Sequence, residues 1–405
     1  MLDNSSKPVL VLLAVLTVMA VLVLLTGTEP RLALDDDFVE YWAAGRLALT
    51  GGNPYDPQQL MEVEKKAGWT QDRPLMMWNP PWTIPFVAPL ALLDYHQARF
   101  VWFLISYGCL VFCVDWLWRF YNGPLRWRLW LPVLCITFAP ALLVLELGNL
   151  TPIVLLGSIG FLHFRNRNKP FWAGAGLSVT LLKPHLLYLV WIVWGLRAIL
   201  KRDLSCLAGA FVALALLLTM GLSFQPLVMQ QYIAAVREQG PAEWLTPTWG
   251  MVMRLWLGWD RFELQFAPSV IGALMAAVCT LHLRDRWDWR SRFPWLVMYS
   301  VLTAAYGWHT DCVLLLPLII STLISLAQDA SHWARLTGWV TYSVINIGTF
   351  ALWRYPVLVF SGDVLPANRL TVFMHPSALW YIVLAPLWWV WARAVDARAT
   401  PVESL

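Results

Sequence analysis

"FWAGAGLSVTLLKPHLLYLVWIVWGLRAIL", residues 171–200, is an apolar run with a lysine and a proline near its middle. As one straight α-helix it would reach about 45 Å, well beyond the ~30 Å of hydrocarbon in a bilayer. Basic clusters flank it, with Arg165, Arg167 and Lys169 before it and Arg197, Lys201 and Arg202 at its end. Such clusters mark the cytoplasmic side. Both ends therefore lie on one side, and the chain turns back within the run, with Pro184 supplying the break. Each half then reaches only about 20 Å, which puts Lys183 below the outer surface. A cation at that depth costs ~2.5–3.5 kcal/mol on insertion scales unless it faces a wet cavity or an anion. Lys183 is thus a candidate anion-binding residue, a lipid phosphate being the anion available there. The competing reading is snorkelling, or a salt bridge to a neighbouring Asp or Glu.

The rest of the chain agrees with a membrane setting. It has 405 residues, of which 59% are hydrophobic and 13% charged, about half the ~25% charge of soluble domains. Apolar runs recur from residue 8 to residue 392 and predict an all-α polytopic membrane protein, a bundle of about twelve transmembrane helices forming one domain over 1–405. The expected spans are 8–26, 98–118, 129–147, 150–164, 170–182, 185–200, 203–222, 266–283, 293–307, 311–327, 333–352 and 376–392. The first reads as a retained anchor. The runs are continuous, without the period-two alternation of a β-barrel. Basic clusters fall between spans on one side, so they read as topology signals and exclude a nucleic-acid footprint. Both termini are expected to be cytoplasmic. The six cysteines lie in apolar runs and show no metal-ligand spacing, so they read as buried hydrophobes.

This threading leaves two long outer segments, 28–97 and 223–265. In the first, Trp82–Leu93 is too short to cross and carries Pro85 and Pro89, which predicts a re-entrant or interfacial helix. Asp37 with Glu40 three residues on resembles a capping box for a helix ended by Gly51-Gly52. Asp56-Pro57 opens a second helix to Ala67, stopped by Gly68.

Polar residues collect on that outer side. Asp35, Asp36 and Asp37 follow the first span, Asn149 sits in a tight turn, and Trp308, His309 and Asp311 sit in "GWHTDC". The carboxylate row has three readings: a helix N-terminus, a metal site through its Asp-x-Asp, or a general base at the membrane lip. His309 is either a core histidine or a donor to a phosphate oxygen or sugar hydroxyl. Asn149 could cap the turn without any ligand.

Five stretches carry a resemblance. In order, "DFVEYWAAGRLALTGGNPYD" (37–56), "NPPWTIPFVAPLALL" (79–93), "LGNLTPIVLLG" (147–157), "AGLSVTLLKPHLL" (175–187) and "WHTDCVLLLPL" (308–318) resemble glycosyltransferase family 87. That family comprises polyprenol-phosphate-mannose-dependent α-mannosyltransferases of the GT-C class. The chain departs from it in carrying Gly148-Asn149 where Gly-Gln is usual. The resemblance implies a GT-C bundle with outer-loop helices around a cavity, inversion at the anomeric carbon and no metal or other cofactor. It implies Asp37 as the catalytic carboxylate, and Lys183 and His309 at the donor phosphate, with Arg369 added as a third cation. Asp36, Tyr41, Asn79, Asn149, His185 and Trp308 are candidate substrate contacts.

The implied partners are a polyprenyl-phosphate sugar donor, a glycolipid or glycan acceptor and membrane lipids. The implied place is the inner membrane of a bacterium, with the site facing the periplasm. Two other readings stay open at this point. One is the same chemistry with a pentose or another hexose, and the other is a flippase or transporter of lipid-linked sugars.

Overall fold

The computed structural model describes residues 37–238, 246, 248–329 and, further on, 340, 342, 343, 346 and 347. The expected spans 8–26 and 376–392, nearly all of 333–352, and Asp35, Asp36 and Arg369 lie outside the described residues. Among the described residues the protein is all-helical, with fifteen α-helices and short 3-10 turns.

The first outer segment holds α1 (Phe38–Leu49), α2 (Pro57–Lys66) and the one-turn α3 (Ile84–Val87), the last flanked by 3-10 turns at Pro81–Thr83 and Leu90–Leu92. The expected interfacial stretch is thus a chain of short turns, as its prolines dictate. Gly51 (φ +77°) and Gly68 (φ +100°) end α1 and α2 in the left-handed region. Asp56 caps α2, its side chain accepting from the amides of Gln58 and Gln59 at 2.9 Å.

Next come α4 (Tyr95–Phe120), α5 (Leu131–Thr137), α6 (Ala139–Leu147), α7 (Thr151–Asn166), α8 (Pro170–Ser178), α9 (Tyr188–Leu200) and α10 (Leu204–Phe224). The single span expected over 129–147 is in fact two helices. Phe138 adopts an extended conformation between them, with Pro140 opening the second. The second outer segment carries α11 (Val228–Glu238) and α12 (Trp249–Leu257). Beyond it lie α13 (Ala267–Leu283), α14 (Trp289–Thr303) and α15 (Leu316–Asp329).

Among the described residues two helices, α4 and α10, are long and apolar enough to cross a membrane. Four shorter apolar stretches accompany them: Pro170–Leu182, Tyr188–Leu200, Ala267–Leu283 and His309–Ser325. Large apolar side chains stay exposed on α10 (Phe211, Leu216, Met220) and on α13 (Val270, Leu274, Val278). Outward stripes of this kind suit contact with lipid.

The turn-back inside residues 171–200 is observed. Helix α8 passes into a 3-10 turn at Val179–Leu182, the helical path breaks at Lys183, and α9 begins at Tyr188. The flanking basic residues meet neighbours at the opposite end of the bundle. Arg165 pairs with Asp203 at 2.6 Å, and Arg197 donates to the Arg284 carbonyl at 2.5 Å.

Helices α8 and α10 pack almost backbone to backbone. A Cβ at Gly209 would overlap the Phe171 carbonyl oxygen, and one at Gly174 would overlap that of Cys206. Small residues at such crossings allow the close approach that membrane helices use. Gly209→Ala must therefore push the two helices apart. It is expected to cost at least ~1–3 kcal/mol, read as a lowered thermal unfolding midpoint in nanodiscs.

Candidate active site

The break in the α8–α9 run leaves helix-end carbonyls without intrahelical donors, and the first outer segment supplies two. Asn79 Nδ2 donates to the Leu182 carbonyl at 2.9 Å, and Trp82 Nε1 to that of Leu181 at 2.9 Å. The Asn79 carbonyl in turn accepts from the Tyr55 hydroxyl at 2.8 Å. From the other side, Trp191 Nε1 donates to Thr180 Oγ1 at 2.9 Å. Asn79 is thus buried and spends its side chain on holding the turn that presents Lys183.

Lys183 itself is buried, and its ammonium has three N–H donors and three acceptors. They are Asp311 Oδ1 at 2.7 Å, Asn149 Oδ1 at 2.9 Å and Thr151 Oγ1 at 3.2 Å. Asp311 is fully enclosed. Its Oδ1 also accepts from Thr151 Oγ1 at 2.7 Å, and its Oδ2 accepts from the Trp308 amide at 2.8 Å. A buried ion pair is tolerable only when its remaining hydrogen-bonding capacity is met this fully.

Asn149 stands in the turn between α6 and α7. Gly148, at φ +72°, takes the left-handed step that the turn needs, and its carbonyl accepts from Trp102 Nε1 at 2.7 Å. Asn149 Oδ1 accepts from the Thr151 amide at 3.1 Å as well as from Lys183. Its Nδ2 donates to Asp37 Oδ2 at 2.8 Å. The amide can sit only this way round, because an ammonium donates only and a carboxylate accepts only. Asp311, Lys183, Asn149 and Asp37 therefore form one continuous hydrogen-bonded row drawn from four separate parts of the chain.

Asp37 does not form the expected capping box. It stands at the N-cap of α1 in a helical conformation, with no side-chain hydrogen bond to the α1 amides. Its carboxylate reaches across to Asn149 instead, a stronger competitor because Lys183 polarises that amide. The companion acid Glu40 is pushed well above the ordinary carboxylate range by burial and by the charge of Asp37. Tyr41 and Lys183 oppose that shift. Tyr41 is buried on the same helix, its phenol pushed upward by burial and by the Glu40 and Asp37 charges. Farther out on α2, burial raises Glu64 to about 7, against one hydrogen bond from the Leu75 amide.

The 3-10 turn His309–Leu315 presents Trp308, His309 and Asp311 together. Trp308 is exposed and His309 half-buried beside the row. His185 is half-buried, its ring edge-on to Tyr306 with centroids 6.4 Å apart. The second outer segment braces this turn: Arg254 donates to Gln265 Oε1 at 2.6 Å, and Gln265 donates to the Ala305 carbonyl at 2.8 Å.

Sequence reasoning named Asp311 among the outer polar residues without giving it a role, and missed Thr151 and Arg99. Asp311 and Thr151 were legible as the other polar groups in apolar surroundings, which a lone lysine needs as partners. Arg99 gave no such signal. It donates to the carbonyls of Leu145 and Glu146, at 3.0 and 2.7 Å, and lies 5.9 Å from the Phe38 ring centroid, one residue from Asp37. Among the described residues no three His, Cys, Asp or Glu side chains gather in an arrangement that could hold a metal ion.

The site thus joins an acid at the start of α1, through a buried amide and a buried ammonium, to a broken apolar run. The model of glycosyltransferase family 87 matches residues 78–317, more than half of the chain. No curated protein and no solved structure matches it. The match begins after Asp37 but contains Asn149, Lys183, His309 and Asp311, so Asp37 is attached to the matched region by its bond to Asn149. The chain belongs to glycosyltransferase family 87, and its activity is that of a glycosyltransferase.

Proposed function

We propose that this glycosyltransferase is an integral membrane enzyme of GT-C type, with about twelve spans and its site on the periplasmic side of a bacterial inner membrane. Its donor is a polyprenyl-phosphate sugar, with mannose the first candidate, and its acceptor is a hydroxyl of a glycolipid or glycan. The observation that carries this reading is the 2.8 Å bond between Asp37 and Asn149. It brings the carboxylate that the resemblance implies as the base within one side chain of Lys183.

Asp37 is the general base. The acceptor oxygen attacks the anomeric carbon through an oxocarbenium-like transition state, and its proton passes to Asp37 as the C–O bond to phosphate breaks. The bonding pair leaves with the phosphate, so the donor phosphodiester becomes a polyprenyl phosphate monoester and the anomeric centre inverts. A phosphate monoester has a second pKa of about 6 and leaves without a strong general acid. An ordinary carboxylate cannot ionise an alcohol outright, so proton transfer accompanies attack.

Lys183, His309 and Arg369 are assigned to the phosphate end, where charge builds up. For Lys183 this requires a phosphate oxygen to take the place of one protein acceptor, the 3.2 Å contact to Thr151 being the longest. Trp308, Asn149, His185, Tyr41, Asn79 and Asp36 are assigned to the substrate's surroundings, with Asn79 acting through the turn it holds. No metal ion enters the scheme.

The test is transfer of label from polyprenyl-phosphate-[14C]mannose to a membrane lipid extract by the purified protein in nanodiscs. Transfer is expected, and EDTA is expected to leave it unchanged. Transfer only from a pentose or other hexose donor would correct the sugar. Transfer only from a nucleotide sugar would overturn the donor class.

A further inference from the structure

We propose that Asn149 is a positioning residue for the base, using its amide to transmit the charge of the Lys183 ammonium to Asp37. The proposal rests on the reading of Asp37 as the base and goes beyond it to what aims that carboxylate.

The geometry separates two jobs in one side chain. The turn between α6 and α7 needs only Oδ1, which accepts from the Thr151 amide at 3.1 Å, the local pattern that makes Asn a turn residue. The Nδ2 arm adds nothing to that turn. It points away, to Asp37 Oδ2 at 2.8 Å on another helix. Opposite it, Oδ1 also faces the Lys183 ammonium at 2.9 Å. A cation on the oxygen of an amide draws electron density from its nitrogen and strengthens the N–H as a donor. The receiving carboxylate is held in one plane and favoured in its charged form, the form a base needs.

Exposure along the row fits this division. Asp311, Lys183 and Asn149 are buried, whereas Asp37 is half-exposed and is the member that can meet an acceptor. The titratable groups around Asp37 include Glu40 and Tyr41 on its own helix and, through Asn149, Lys183 and Asp311; Arg99 of α4 lies over the neighbouring Phe38 ring. Glu64 on α2 acts on Glu40 from farther out. The Asn149 amide is thus a neutral donor set among acids, and removing it leaves their repulsion less opposed.

The readout is carbodiimide labelling of Asp37, which needs the protonated carboxyl and is located by peptide mass spectrometry. It requires no sugar transfer. Wild type, Asn149→Ser and Asn149→Gln are compared in nanodiscs across pH. Serine keeps an oxygen for the turn and removes the amide arm, while glutamine restores an amide. Losing a hydrogen bond to the charged form raises the pH at which the carboxyl gives up its proton. The labelling midpoint of Asn149→Ser is therefore expected about one unit above wild type, and Asn149→Gln closer to wild type. The acid limb of the transfer rate should move by the same amount, about tenfold in rate on that limb.

Coincident midpoints in wild type and Asn149→Ser would overturn the proposal, as would a rate loss that is uniform across pH. If Asn149→Ser does not fold, Asn149→Asp is the comparison. It keeps the turn oxygen and sets a second charge against Asp37, so its midpoint should lie higher still, and an unmoved midpoint overturns the proposal. Failure of the functional reading shows separately, as a wild type that transfers from no polyprenyl-phosphate sugar.

Discussion

Asp37→Asn is expected to lower the rate of sugar transfer by about 10²- to 10⁴-fold, the usual contribution of a positioned general base. The substitution is nearly isosteric, and the row behind it tolerates the change. Asparagine can still turn its amide oxygen to accept from Asn149 Nδ2, so the 2.8 Å link survives in neutral form. What disappears is the capacity to take the acceptor's proton. Donor binding should persist, because the groups assigned to the phosphate are untouched. Single-turnover transfer beside equilibrium donor binding separates the two effects. A variant that transfers at the wild-type rate would move the base to Asp36 or Asp35.

Lys183→Ala is expected to destabilise the fold by about 3–5 kcal/mol, the cost of stranding a buried partner. Asp311 would keep only Thr151 and the Trp308 amide for a fully enclosed charge. Loss of activity in this variant would therefore say little about phosphate. The informative companion is Lys183→Met/Asp311→Asn, which removes both charges at similar volume and should recover most of the unfolding midpoint. If Lys183 also meets the donor, the double variant will fold but bind polyprenyl-phosphate sugar weakly. Unchanged binding would leave the ammonium a purely internal counter-charge. A Lys183→Ala protein as stable as wild type would contradict the ion pair itself.

The helical class and the turn-back at Lys183 were legible because they follow from strong constraints. A thirty-residue, mostly apolar run with like-sided basic clusters at its two ends leaves the chain few alternatives. Of the two readings of Lys183, the structure shows the salt bridge to a neighbouring acid, Asp311. The role of Asp37 in its own helix was not legible. A capping box is a local pattern, and it lost to an amide 112 positions away that no local rule can see. The division of 129–147 into two helices was missed because the stretch is largely apolar throughout; the signal it did carry was Pro140, which opens the second helix after the extended backbone at Phe138. Arg99 lay hidden because an arginine near a helix start has many solvated uses. Its tie to the end of α6 depends on packing alone.

Asn79 and Leu182 are joined across 103 positions, which sets an order for biogenesis. The first outer segment leaves the ribosome long before the carbonyls it caps. At about 5–20 residues per second the interval is roughly 5–20 s. Through that wait Asn79 and Trp82 must be served by water or by the insertion machinery. The acid-bearing helix and the broken helix become one unit once Lys183 arrives, and the row closes only with Asp311, 128 positions further on, so the protein completes its chemistry late in its own synthesis.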